Sequence, residues 1–120
     1  MSTLTADELV RKTCSPCEGG IPPVPVDEAK AYLTHLEGWE LAADGTRIKH
    51  TWTAKNFMAA IDFFNKVAEL AELDGHHPDL HLEGYRNVTI VLWTHAIGGL
   101  SENDFILAAK INQIPIKVKK

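Results

Sequence analysis

The chain has 120 residues, the size of one domain, and its 45% hydrophobic content is enough for a core without help from disulfides. A formal charge of −4 excludes the broad basic field that would draw it to nucleic acid phosphates or an anionic membrane surface. No apolar run approaches the roughly twenty residues of a membrane span. Asp7 and Glu8 sit where a targeting peptide avoids acidic groups, and two cysteines are too few for a disulfide scaffold; the expectation is a cytoplasmic protein.

In chain order, Cys14-Ser15-Pro16-Cys17 and the run Glu18-Gly19-Gly20-Ile21-Pro22-Pro23-Val24-Pro25 break both helix and strand. Residues 1–25 are therefore expected to be an arm ahead of a single domain over 26–120. Over residues 27–36, Ala29, Tyr32, Leu33 and Leu36 recur at helical spacing, and Gly38 is a stop. Residues 39–53 read as a hairpin: Asp44-Gly45 stands between Glu40-Leu41 and the alternating Ile48, His50 and Trp52. A long helix is predicted over 56–73 from the stripe of Phe57, Ala60, Ile61, Phe64, Val67, Ala68 and Ala71.

A turn at 75–79 leads to a weak strand pattern at 80–86 and a strong one at 88–95, where Val88, Ile90 and Leu92 alternate with Thr89, Val91 and Trp93. Gly98-Gly99 breaks that pattern. Ser101 and Asp104 then have capping-box spacing, and Phe105, Ile106, Ala109 and Ile111 continue a helix that ends before Pro115. The order helix, two strands, helix, two strands, helix predicts an α+β fold: a four-stranded antiparallel sheet with helices packed on one face. Its open edges favour pairing between copies in a homo-oligomer.

Three of the six histidines, His76, His77 and His81, fall within six residues after the long helix. Imidazoles both accept and donate protons near neutral pH, so a fixed pair suits chemistry that needs two transfers. Pro78 fixes its own φ and biases His77 toward extended backbone. Antiparallel return of the following hairpin brings Trp93-Thr94-His95 back toward the turn, with Trp93 as a pocket wall. Zinc binding by His77 and His81, with His76, Asp79 or His95, ranks lower. Side chains four apart share a face on a helix, but in extended chain they are far apart. Cys14 and Cys17 have half-site or redox spacing without a second pair or a strand-to-helix context, and Glu72 and Asp104 read as surface carboxylates.

The pattern Glu72-x-x-x-His76-His77-Pro78, then Tyr85, Val88, Thr94-His95 and Gly99-Leu100-Ser101-Glu102-x-Asp104, resembles the pterin-4a-carbinolamine dehydratases over about residues 39–112. The resemblance implies the α+β fold above, dimers or tetramers, and neither a metal nor a bound organic cofactor. By position, His76, His77 and His95 match the family's active-site histidines, and Glu72 and Asp104 match carboxylates of that site. Pro78, Trp93 and Thr94 complete the candidate substrate-binding set. Two features depart from the animal-type pattern. The segment from His77 to His95 is one residue longer, and Gly75 stands where a larger residue is common.

The implied substrate is a 4a-hydroxytetrahydropterin, which loses water to give a quinonoid dihydropterin in recycling the cofactor of an aromatic amino acid hydroxylase. In this scheme His76 or His95 protonates the departing hydroxyl, another imidazole assists loss of the N5 proton, and His77 orients the ring. The alternatives are a dimerisation or regulatory partner and a pterin-related role in molybdenum cofactor metabolism.

Overall fold

The computed structural model describes residues 5–14 and 22–119. Its elements are α1 (Ala6–Val10), α2 (Val26–Leu33), β1 (Glu40–Leu41), β2 (Ile48–Thr53), α3 (Phe57–Asp74), β3 (Asp79–Glu83), β4 (Asn87–Leu92), a short 3₁₀ turn (His95–Ile97) and α4 (Glu102–Asn112). The strands form one sheet in the order β1-β2-β4-β3 with every pairing antiparallel. The predicted fold class is the one observed.

Register divides the sheet into two chemically different faces. Ile48 pairs with Leu92, His50 with Ile90 and Trp52 with Val88, so these side chains share the face on which the core is built. Lys49, Thr51, Thr53, His81 and Glu83 alternate to the other face and are exposed. In α4 the residues from Asn103 to Ala109 are all buried, and its apolar residues belong to the same core cluster as the sheet's Ile48, Val88, Ile90 and Leu92. A helix buried on nearly every side is an interior element, flanked here by α3, by α2 through the stacked rings of Tyr32 and Phe105, and by α1.

The N-terminal segment differs from the sequence reading. No element was expected before residue 27, yet α1 forms at the N-terminus and buries Leu9 completely. Its Thr5 and Glu8 exchange the two hydrogen bonds of a capping box, which satisfies end amides that an isolated short helix leaves open. Of the predicted Cys-x-x-Cys pair, Cys17 lies outside the described residues. Cys14 is half-buried, with its thiol 3.8 Å from Asp74 Oδ2 and 3.6 Å from the Asn103 carbonyl.

In α3 the buried stripe is Ala60, Phe63, Val67, Ala71 and Asp74, while Phe57 and Ala68 of the expected stripe are exposed. The helix is rotated because its C-terminal turn must face α4. There Lys110 Nζ lies 2.7 Å from Asp74 Oδ2 and neutralises a carboxylate only 7% exposed. Asn56 caps the start of α3 by accepting the Ala59 N–H, and Gly75 ends it at φ +66. Nothing lies within 4 Å of where a Gly75 Cβ would stand, so it is the left-handed backbone, not space, that favours glycine before the histidine pair.

Candidate active site

Four pieces of chain meet at one end of the sheet: the turn after α3, the start of β3, the chain beyond β4 and the N-terminus of α4. The expected strand over 88–95 stops at Leu92. Thr94 forms an isolated bridge with Gly99, their backbones exchanging hydrogen bonds of 2.8 and 3.4 Å, and the loop they close begins with His95 in a 3₁₀ turn. Gly98 closes that turn at φ +63, a left-handed conformation that favours glycine.

At the centre is Asp104, whose side chain is fully buried, a correction to its reading as a surface carboxylate. Burial of a carboxylate is tolerated when its lone pairs are filled. Here Oδ1 is 2.6 Å from His76 Nε2, while Oδ2 accepts the Thr94 hydroxyl at 2.8 Å and the Ser101 backbone N–H at 2.9 Å. The Thr94 proton is committed to Asp104, so the 2.7 Å contact between the Thr94 and Ser101 hydroxyls must be donated by Ser101. The predicted capping box exists, but its Asp104 side chain also organises the site.

This network sets the state of His76. A carboxylate accepts only, so His76 Nε2 carries a hydrogen and Nδ1 is left as the basic nitrogen of the neutral ring. Its side chain is 11% exposed, enough to meet a ligand but too little to rotate freely. His77 makes a second pair of the same kind, Nε2 lying 2.5 Å from Glu72 Oε2, but both partners are largely in solvent. Thus the adjacent histidines point to different carboxylates on different elements.

His95 is exposed, and its ring lies against Trp93 with centroids 4.0 Å apart. The antiparallel return expected for Trp93-Thr94-His95 is present: Asp79 pairs with Val91, and Asp104 links His76 to Thr94, the neighbour of His95. Pro78 is half-buried and directly precedes β3. Of the residues in the lower-ranked zinc alternative, His81 is on the exposed face of β3 opposite Thr89. Among the described residues no three His, Cys, Asp or Glu side chains gather as ligands for one metal ion. Sequence reasoning missed the link of Arg47 and Asp79 to Trp93. The guanidinium carbon of Arg47 is 4.3 Å from the indole centroid, and Asp79 Oδ2 accepts the indole N–H at 3.1 Å.

Fold and site together define an α+β protein with a histidine-carboxylate centre at the sheet end. A solved Brucella melitensis structure described as a transcriptional coactivator/pterin dehydratase has the same architecture: TM-score 0.71, 30% identity, covering 77% of this chain and 97% of that one. The sequence model described as "Pterin 4 alpha carbinolamine dehydratase" matches residues 22–114, and the chain belongs to that family.

An Arabidopsis thaliana relative named pterin-4-alpha-carbinolamine dehydratase 2, mitochondrial, is 48% identical over 92% of this chain, which spans 60% of that protein's length. A Methylococcus capsulatus relative provisionally given the same enzyme name is 46% identical, with 92% of this chain and 96% of that one covered. A pterin dehydratase-like protein described as a RuBisCO assembly factor shares the fold at 20% identity and TM-score 0.55. Among the described residues no helix is long and apolar enough to cross a membrane.

Proposed function

We propose that this chain dehydrates 4a-hydroxytetrahydropterin to quinonoid dihydropterin and water, and so returns the pterin cofactor of an aromatic amino acid hydroxylase to its cycle. The observation that carries the reading is the buried Asp104, which binds His76 through one oxygen and Thr94 and Ser101 through the other. Such a network holds the His76 imidazole in one tautomer, and Thr94, bound to the same carboxylate, is the chain neighbour of His95.

The reaction breaks the C4a–O bond, removes the N5 proton and forms the C4a=N5 double bond. The hydroxyl leaves as water once it receives a proton. His76, with Nδ1 basic, takes the N5 proton, and the Asp104 carboxylate steadies the imidazolium that results. His95 in its charged form delivers a proton to the departing hydroxyl. His77, held by Glu72 at the rim, orients the pterin, while Pro78, Thr94 and the indole of Trp93 wall the binding site. The whole sequence is acid/base chemistry, and the chain supplies every group it needs.

Stopped-flow absorbance of 4a-hydroxytetrahydropterin decay tests this directly. Wild type accelerates decay with or without a chelator, and His76→Ala and His95→Ala each lose about 10²- to 10⁴-fold. Full rates in both variants would refute the assignment. A second reading, a regulatory binding partner in a homo-oligomer, draws on the coactivator description of the Brucella protein. Recovery of a stoichiometric regulator from cells, together with no acceleration of decay by wild type, would favour it.

A further inference from the structure

The three site histidines are not held in the same way. His76 and His77 each have a carboxylate, but among the described residues the His95 imidazole makes no hydrogen bond to the protein. Its ring lies against the indole of Trp93, 4.0 Å between centroids at 35°. Whatever fixes Trp93 therefore fixes His95.

Two side chains converge on that indole. Continuing the β2–β4 register one step past Ile48 and Leu92 sets Arg47 opposite Trp93 on the open face of the sheet, where the guanidinium covers the ring at 4.3 Å. From the other side β3 contributes Asp79, paired with Val91 and so on the same face, whose Oδ2 holds the indole N–H at 3.1 Å. One contact restrains the ring edge and the other its face. Among the described residues neither Arg47 nor Asp79 forms a salt bridge, so the indole is the partner that orders them both.

We propose that Asp79 and Arg47 are positioning residues for His95, acting through Trp93. The inference rests on the reading that His95 serves the dehydration. An exposed imidazole with no hydrogen bond would sample several rotamers, and a displacement of about 1 Å at a reacting group costs on the order of a hundredfold in rate. The anchored indole narrows that choice. Arginine suits the task better than lysine because its guanidinium lies flat on an aromatic face.

Initial-rate kinetics on 4a-hydroxytetrahydropterin test the chain of contacts, with His95→Ala as control. Asp79→Ala is expected to lower kcat about tenfold with KM within about twofold, whereas a residue that merely shapes the wall would raise KM alone. Asp79→Asn restores the rate, because its amide oxygen still accepts from the indole. Trp93→Phe keeps a ring against His95 but loses the N–H, so it reproduces the Asp79→Ala loss, and the double variant is no worse than either single one. Arg47→Leu lowers kcat about threefold, less than Asp79→Ala because the edge restraint survives. Unchanged kcat in Asp79→Ala and Trp93→Phe beside an inactive His95→Ala would overturn the inference and leave the active site standing. Full rate in His95→Ala would overturn both.

Discussion

The two adjacent histidines form the same chemical pair in opposite surroundings. His76 meets Asp104 at 2.6 Å with side chains 11% and 0% exposed, and His77 meets Glu72 at 2.5 Å with side chains 65% and 76% exposed. Distance ranks them as equals. Surroundings do not: an exposed ion pair contributes about 0–1 kcal/mol, because water competes for both partners and the side chains lose rotamer freedom. A buried carboxylate that fills three donors is different, since removing it strands all three. The first pair fixes a proton's location, and the second stands in solvent at the rim, where the proposed function has it guide the pterin.

The largest effect that would sharpen this contrast belongs to Asp104→Ala. His76, the Thr94 hydroxyl and the Ser101 N–H lose their acceptor together, and urea unfolding is expected to show a loss of at least ~3 kcal/mol. Dehydratase activity falls with it, and thermal melts on the same samples separate unfolding from a catalytic loss. At the rim, Glu72→Ala changes stability by no more than about 0.5 kcal/mol and lowers the rate only severalfold. Equal stability losses in the two variants would break the comparison.

Much of the fold was written in short-range pattern. The hairpin around Asp44-Gly45, the start of α4 at Ser101 and the end of α3 at Gly75 follow from turn and cap chemistry within a few residues. The helix at Ala6–Val10 was equally legible through Thr5-x-x-Glu8 but was obscured by the proline- and glycine-rich run that follows. The site was legible only by halves. Clustered histidines and Pro78 announced the turn, but no local signal buries Asp104, because its burial depends on the chain beyond β4 and the turn after α3 arriving at the start of α4. Arg47 and Asp79 meet Trp93 only through sheet register, which periodicity within one strand does not set.

Smaller effects follow from two groups away from the centre. Burial against Trp52 pushes His50 below its ordinary 6.5, against weaker upward pulls from the Thr51 carbonyl, Glu37 and Glu40. Below about pH 6.5 the unfolded chain binds a proton that the folded His50 resists, so stability contributed at neutral pH is lost as pH falls. His50→Gln should therefore show a shallower drop in urea midpoint between about pH 7 and 5.

Burial, and then Asp74, pushes the Cys14 thiol up to about 12. That stability is present below the unfolded value of 9.0 and is lost as pH rises from there toward about 12. Because alkylation requires the thiolate, iodoacetamide at about pH 8.5 should label Cys14 far more slowly in the folded than in the urea-unfolded chain, as peptide mapping would show.

The most direct test of the account is a single-turnover comparison of Asp104→Asn with Glu72→Gln on 4a-hydroxytetrahydropterin. The amide of Asp104→Asn still satisfies the buried position, but its NH₂ donates to His76 Nε2 and moves the ring hydrogen to Nδ1, the nitrogen that the proposed mechanism uses as base. The account predicts a folded protein at least ~10²-fold slower than wild type for Asp104→Asn, and a loss of only severalfold for Glu72→Gln. A wild-type rate in Asp104→Asn, or the larger loss in Glu72→Gln, would contradict it.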